Sequence, residues 1–335
     1  MNRLLPLFVL LAALGCSKAE PRQAPAASAP TSPGSVVFRG MCDASGAVVL
    51  SDTRFAVADD EDNVLRVYDS VRGGEPLASI DVSSALDLPI KKKTPEADIE
   101  AATRVGDRAL WLTSHGLRSS GKLDASRFRF FATTAPSAGT SLMPVGSPYH
   151  ALLDDLLAAP QLARFELSAA AKLAPKAPGG LNLEGMTRRT DGNSVWIGFR
   201  NPRPEHKALV VPLLNPLAVV AGARAELGEP LLLELRGLGI RSLSLWRGQY
   251  LIIAGAVADE ADSRLFRWDG RASVPQELPV DLHGWNPEAF VSRDEQEQVL
   301  LLSDDGSVEI DGQPCKKLRD PAKKQFRGVW VRLAG

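Results

Sequence analysis

Leu183–Pro202 reads LEGMTRRTDGNSVWIGFRNP. Two short apolar runs flank the turn residues TDGN, and Asp-Gly between strand-length runs is the local signature of a β-hairpin. The hairpin sets an acid, Glu184, at the outer end of its first run and a base, Arg200, at the matching end of its second. Antiparallel pairing brings those two ends together. They are either rim residues of a sheet or the lining of a site.

The same phrase recurs along the chain. GAVVLSD, RFAVADDEDN and VLRVYDS form a first copy, and DIEAATRVGDRALWLTSHG with SRFRFFATT a second. The opening stretch with KALVVPLLNP and EPLLLELRG is the third. IRSLSLWRGQYLIIAGA, SRLFRWDG and QELPV make the fourth, and PEAFVSRDEQEQVLLLSDDG, SVEIDG and FRGVWVRL the fifth. Each run holds four to eight β-branched, aliphatic or aromatic residues bounded by turn residues. A period of roughly 40 to 50 residues with three or four strands per copy predicts an all-β chain, a β-propeller of five blades, with six left open and a β-sandwich as the other architecture. One interruption, SPYHALLDDLLAAPQLARFEL, places Tyr149, Leu152, Leu153, Leu156 and Leu157 at helical spacing. It predicts an inserted helix packed on a blade, followed by LARFEL as the outer strand of the second blade.

A propeller must close its ring. SVVFRG, at the start of the folded part, is placed to pair with the C-terminal FRGVWVRL. Cys42 and Cys315 flank the same junction, and a disulfide between them is expected to staple the closure; two buried free thiols are the alternative.

At 335 residues with 44% hydrophobic composition the chain can build a sizeable core. Its 39 Lys and Arg against 40 Asp and Glu give a net charge of −1, so no electrostatic footprint for nucleic acid is present. Lys91, Lys92 and Lys93 are the densest basic run and read as a solvated loop. Arg3 followed by the apolar run Leu4–Leu14 reads as an export signal too short to span a bilayer. It ends in LAALGCSK, which resembles the lipobox of bacterial lipoproteins, with Cys16 as the lipidated residue and Ala13 where leucine is usual. Residues 1–16 are therefore read as a lipoprotein signal, 17–34 as a Pro/Ala/Ser tether that cannot build a core, and 35–335 as the propeller. Ser17 after the cysteine favours the outer membrane, with a periplasmic or secreted protein as the alternative. Several acyl chains, at about 0.8 kcal/mol per buried methylene, would hold such a protein to the membrane.

In a propeller, first-strand starts and second-strand ends share one mouth of the central channel. The starts are Asp98 and Glu100, Glu184, Arg241 and Glu288. The ends are Asp59 and Asp60, His115, Arg200 and Asn201, and Asp304 and Asp305. Three blades repeat an acid in DIEAA, NLEGM and NPEAF. Gathered carboxylates need arginines, a cation or raised pKa values. The pattern predicts a ligand site of Asp59, Glu100, Glu184, Arg200, Asn201, Arg241, Glu288 and Asp304, with Glu100, Glu184 and Glu288 as candidate ligands for Ca²⁺, which favours oxygen donors. His115 with Glu100 is a candidate acid–base pair. Asp305-Gly306 has the chemistry of a tight turn. The six tryptophans read as blade packing. No phosphate loop, nucleophile elbow, H-E-x-x-H or C-x-x-C motif occurs.

Taken together, DIEAA, NLEGM…VWIGFRNP…ALVVPLLNP, IRSL…YLIIAGA…RLFRWDG and PEAF…LLLSDDG…FRGVWV resemble the bacterial family called domain of unknown function 3616, over roughly Phe38 to Leu333. The resemblance implies a propeller-like fold, more distantly similar to the esterase-like domain of phytases, and brings no established activity. Only the strand-start acids carry over from that distant pattern, onto Glu100, Glu184 and Glu288; the basic cluster that a many-phosphate substrate needs is not evident. Three functions are expected from these readings: an envelope propeller whose charged mouth binds a small ligand or cation, a metal-assisted hydrolase of phosphate or carboxyl esters, and a scaffold for an envelope protein partner.

Overall fold

A computed structural model describes Met1 and residues 34–88, 94–257 and 263–333. The signal segment, Cys16, all but the last residue of the tether, and Lys91–Lys93 lie outside the described residues. The propeller lies within the unit Thr31–Gly335.

Five four-stranded antiparallel sheets form five blades. Blade 1 comprises Ala44–Val49, Arg54–Asp59, Val64–Asp69 and Ala78–Asp81. Blade 2 comprises Ile99–Val105, Arg108–Thr113, Phe130–Thr134 and Pro144–Tyr149. Blade 3 holds Asn182–Arg188, Val195–Asn201, Ala208–Leu213 and Leu231–Leu233. Blade 4 holds Gly239–Trp246, Gln249–Gly255, Arg264–Trp268 and Gln276–Leu278. Blade 5 takes Pro287–Val291, Gln298–Ser303 and Gln325–Arg332 from the C-terminal part, and Ser35–Arg39 from the N-terminal part as its outer strand. The first strands of blades 1 to 5 contact one another in that order, and the fifth returns to the first, which closes a five-bladed ring.

The apolar runs are continuous rather than alternating because each blade is buried on both faces. In blade 4, Leu251 and Ile253 face blade 5, whereas Tyr250, Ile252 and Ala254 face blade 3. In blade 5, Val299 and Leu301 face blade 4, and Leu300 and Leu302 face blade 1. Tight turns join the strands; at Arg247 and Gly248 both φ values are positive, 52° and 73°, the twist that two-residue hairpins favour.

The closing strand pairs in register from Ser35↔Val329 to Arg39↔Gln325. Phe38 locks it: its ring stacks on Phe326 at 4.9 Å and meets Phe55 and Tyr68 of blade 1 edge-on at 5.3 Å. Cys42 and Cys315 are disulfide-bonded across the same junction.

Three local expectations need correction, and one strand was not foreseen. The outer strand of blade 2 is Pro144–Tyr149, so Tyr149 belongs to a strand, and the helix that comes after it is Leu152–Ala158. LARFEL is helical: Pro160 starts a 3₁₀ turn that runs to Phe165, and Leu162, Phe165 and Leu167 bury against blades 2 and 3 with Leu152 and Leu156. SVEIDG supplies a separate two-stranded ribbon, Glu309–Ile310 with Gln313–Pro314, and not a blade strand. The outer strand of blade 1, Ala78–Asp81, is too short and too exposed to give an apolar run.

Candidate functional site at the upper mouth of the channel

Every first strand carries a β-bulge at the same place. Pairing with the second strand breaks between Ala44 and Ala47, Ile99 and Ala101, Leu183 and Gly185, Ile240 and Ser242, and Pro287 and Ala289. The residues skipped are Ser45 with Gly46, Glu100, Glu184, Arg241 and Glu288. A bulge re-aims the side chain of the extra residue. Four blades use it to turn a charged group into one cavity of about 640 Å³.

The residue after each bulge is small: Gly46, Ala101, Gly185, Ser242 and Ala289. First strands crowd together here. A Cβ on Gly46 would lie 2.7 Å from the Ala101 carbonyl carbon, and one on Gly185 would lie 2.6 Å from Ile240 Cγ2. Two positions before the bulge residue stand Asp43, Asp98, Asn182 and Asn286, all lining the cavity. In the equivalent place blade 4 has Gly239, against which the Arg200 backbone packs. In blades 2, 3 and 5 the repeat is thus Asp/Asn-x-Glu-small, with the polar residues lining the cavity.

The cavity has two walls of different character. On one, Arg200 donates to Glu184 Oε1 at 2.7 Å and to the Ala256 carbonyl at 3.0 Å. Arg241 lies 3.9 Å from Glu184 and is ion-paired with Glu288. Asn182 donates to Glu184 Oε1 at 2.5 Å, and Asn286 bridges Arg241 and Asp304. Burial, reinforced by the neighbouring Arg200 charge, holds the Arg241 guanidinium below its ordinary value. Fully buried guanidinium–carboxylate networks are costly to break because each group left alone is an unpaired buried charge.

The opposite wall, from blades 1 and 2, is rich in carboxyls, of which Asp98 pairs with Arg127. Asp43, Asp59 and Asp60 present oxygens that all lie within 4.8 Å of one another. Burial, with Asp304 and Asp59 nearby, pushes Asp43 up to about 9. Burial and Asp62 push Asp59 up to about 7. Asp60 and Glu100 are raised well above the usual carboxylate range, again by burial first and then by each other's neighbourhood of acids. Asp98, paired with Arg127 at 2.8 Å, is raised by burial to about 6. Eight acids line the cavity, Asp43, Asp60, Glu61, Asp98, Glu100, Glu184, Glu288 and Asp304, against the cations Arg127, Lys176, Arg200, Arg241 and Lys316. Carboxyl groups outnumber cationic ones.

Glu100, Glu184, Arg200, Arg241, Glu288 and Asp304 therefore converge as the strand register implied. Three residues do not join them on the cavity wall. Asp59 is 2% exposed and lies behind the wall, in contact with Asp43 and Asp60. Asn201 is buried and donates to the carbonyls of Pro175 and Ala177 at 2.9 and 2.7 Å. His115 is 1% exposed and does not line the cavity; its Nδ1 bonds the Thr113 carbonyl at 2.8 Å and its ring meets the edge of Phe128. Burial lowers its pKa to about 4. Within the expected metal set, Glu184 and Glu288 face arginines and only Glu100 is near the arginine-free acids. Asp305 faces away and pairs with Arg327 at 2.7 Å. Trp285 lines the cavity, contrary to its reading as blade packing.

Sequence reading missed Asp43, Asn182, Asn286, Arg127 and Lys316. The Asp/Asn-x spacing before each bulge residue was the available signal for the first three.

The far ends of the first strands frame a smaller hollow of about 290 Å³. Polar groups there stitch the blades: Thr103 Oγ1 accepts from the Arg188 amide, Thr187 Oγ1 from the Leu245 amide, and Ser244 bonds Ser292.

The fold and site define a five-bladed propeller with a charged cavity at one mouth. The family described as "Protein of unknown function (DUF3616)" matches residues 142–283, which span the outer edge of blade 2, the helical insertion and blades 3 and 4. It is the family that the blade motifs resemble, matched over a narrower span. No curated protein matches the chain. Among solved structures, a glutaminyl cyclase of Myxococcus xanthus is similar at 8% identity, with 90% of this chain and 95% of that chain covered and a TM-score of 0.43. The PQQ-bound aldose sugar dehydrogenase of Streptomyces coelicolor is similar at 8% identity, covering 90% and 100%, with a TM-score of 0.42. The exo-beta-1,3-galactanase of Phanerochaete chrysosporium is similar at 10% identity, covering 90% and 65%, with a TM-score of 0.49.

Proposed function

We propose that this protein is a binding propeller whose upper cavity holds a small positively charged ligand, a metal cation or an amine, without turnover. The observation that carries this reading is a set of buried acceptor atoms without donors, Asp43 Oδ2, Asp60 Oδ1 and Asn182 Oδ1, whereas the unpartnered donors Arg127 Nε and Arg241 Nε belong to guanidiniums that already face carboxylates. Buried acceptors left unpaired are costly, so the partner that completes them must bring donors or positive charge. The surplus of carboxyl over cationic groups in the lining favours the same ligand class.

Thermal unfolding at pH 8 in low salt, with calcium and magnesium chlorides, spermidine, phosphate and citrate as probes, tests the reading. A ligand specific to the folded state at 100 times its Kd stabilises by about 2.7 kcal/mol. At least one cation should raise Tm. Stabilisation by the anions alone would overturn the reading.

Export and lipid attachment at Cys16 belong to the same proposal, placing the propeller on the bacterial outer membrane, with a periplasmic or secreted protein as the alternative. Palmitate labelling in cells should mark the native chain and not C16A.

A further inference from the structure

We infer that Asp43, Asp59 and Asp60 form a Ca²⁺ site at the junction of blades 1 and 5. The inference rests on the cavity being a cation site and adds which wall and which ion.

Strand register brings the three acids together. Ala44 pairs with Asp59, so Asp43 and Asp60 each stand one residue beyond that pair, at the ends of adjacent strands. Their oxygens fall within 4.8 Å of one another, and oxygens on opposite sides of a Ca²⁺ ion, each at about 2.3–2.6 Å, are separated by about that distance.

A second, independent observation points to a ligand. Asp43 is 3% exposed and its Oδ2 has no hydrogen-bond partner; Asp60 Oδ1 is also buried without one. Of the cations beside it, Arg66 ion-pairs with Asp62 at 2.7 Å and Lys316 with Glu61 at 3.2 Å. Asp59 is held in place by the Glu61 amide on Oδ1 at 2.9 Å. Asp304, by contrast, has both oxygens satisfied, by Asn286 at 3.0 Å and the Gly306 amide at 2.8 Å. It is a neighbour of the site and not one of its ligands.

The donor set selects the ion. All three ligands are carboxylates, with no imidazole or thiolate among them, because Cys42 is tied in its disulfide. An all-oxygen set suits a hard cation.

Isothermal titration of the full chain with CaCl₂, after EDTA treatment and buffer exchange, tests the assignment. One Ca²⁺ should bind per chain. Asp43→Asn and Asp60→Asn should each weaken it tenfold or more, while Glu277→Gln, on the outer strand of blade 4, should not. Binding that neither aspartate variant weakens would overturn the assignment. Far-UV circular dichroism identifies a variant that fails to fold; wild-type crystals grown with Tb³⁺ then decide, since the anomalous peak must lie between these three carboxylates and a peak elsewhere refutes the site. No Ca²⁺ binding alongside stabilisation by an amine removes this inference and leaves the cavity reading. No binding of any cation removes both.

Discussion

Arg241 of blade 4 stands between Glu184 of blade 3 and Glu288 of blade 5, a base at a bulge position where both neighbouring blades place acids. One guanidinium thus neutralises carboxylates from the blades on either side of its own. Arg241→Met should leave Glu288 as an unpaired buried charge and destabilise the protein by about 3–5 kcal/mol in urea unfolding. Arg241→Lys should recover only part, because a point charge cannot reproduce the planar fork. The double variant Arg241→Met/Glu288→Gln should be more stable than Arg241→Met alone.

His115 gives a pH signature. Its folded pKa of about 4 lies below the ordinary 6.5, so its contribution to stability is fully present above pH 6.5 and is lost as pH falls through 4. The full loss is about 3 kcal/mol. Asp98, raised to about 6, runs the other way, with stability present below 3.8 and lost as pH rises through 6. The difference between wild type and His115→Asn isolates the histidine; asparagine tolerates the positive φ of 52° at this position. The variant should lose less stability than wild type between pH 6.5 and 4.

The Cys42–Cys315 bridge closes a span of 273 residues. In the chain-entropy account this is worth about 5 kcal/mol. Native protein should show neither Cys42 nor Cys315 as a free thiol, and Cys42→Ser/Cys315→Ser should unfold at markedly lower urea. Because Asp43 and Lys316 each come directly after a half-cystine and both line the cavity, cation affinity should fall as well.

Gly239 tests the packing that aims the arginine wall. A Cβ there would collide with the backbone of Arg200. Gly239→Ala should cost about 1–3 kcal/mol or more, as overpacking does.

Strand runs, blade number, ring closure and the cysteine pair were legible because propeller blades bury both faces: Tyr250–Ala254 and Val299–Leu302 leave no polar residue to blur a strand. The convergence of Glu100, Glu184, Arg241 and Glu288 was legible from register alone. The bulges were not. A skipped residue looks like any other in an apolar run, and so the lining role of the residues two places earlier, Asp43, Asn182 and Asn286, stayed hidden. LARFEL was misread because a short apolar run carries no length by which to separate strand from helix; Pro160 and the packing of Phe165 decided it. His115 shows the opposite limit: strand-end position was right in sequence, but its positive φ turns the backbone and its ring tucks under Phe128.

The outer strand of blade 5 is the first part of the propeller to be made and the last to find its place. Until Gln325–Arg332 has been synthesised, Ser35–Arg39 has no strand to join and Phe38 has no Phe326 to stack on. The backbone bridge between Asp43 and Asp304 likewise waits for blade 5. Maturation of the cavity is therefore a matter of timing: a growing chain can complete blades 1 to 4 in turn, yet its cavity stays unwalled on one side until blade 5 joins blade 1.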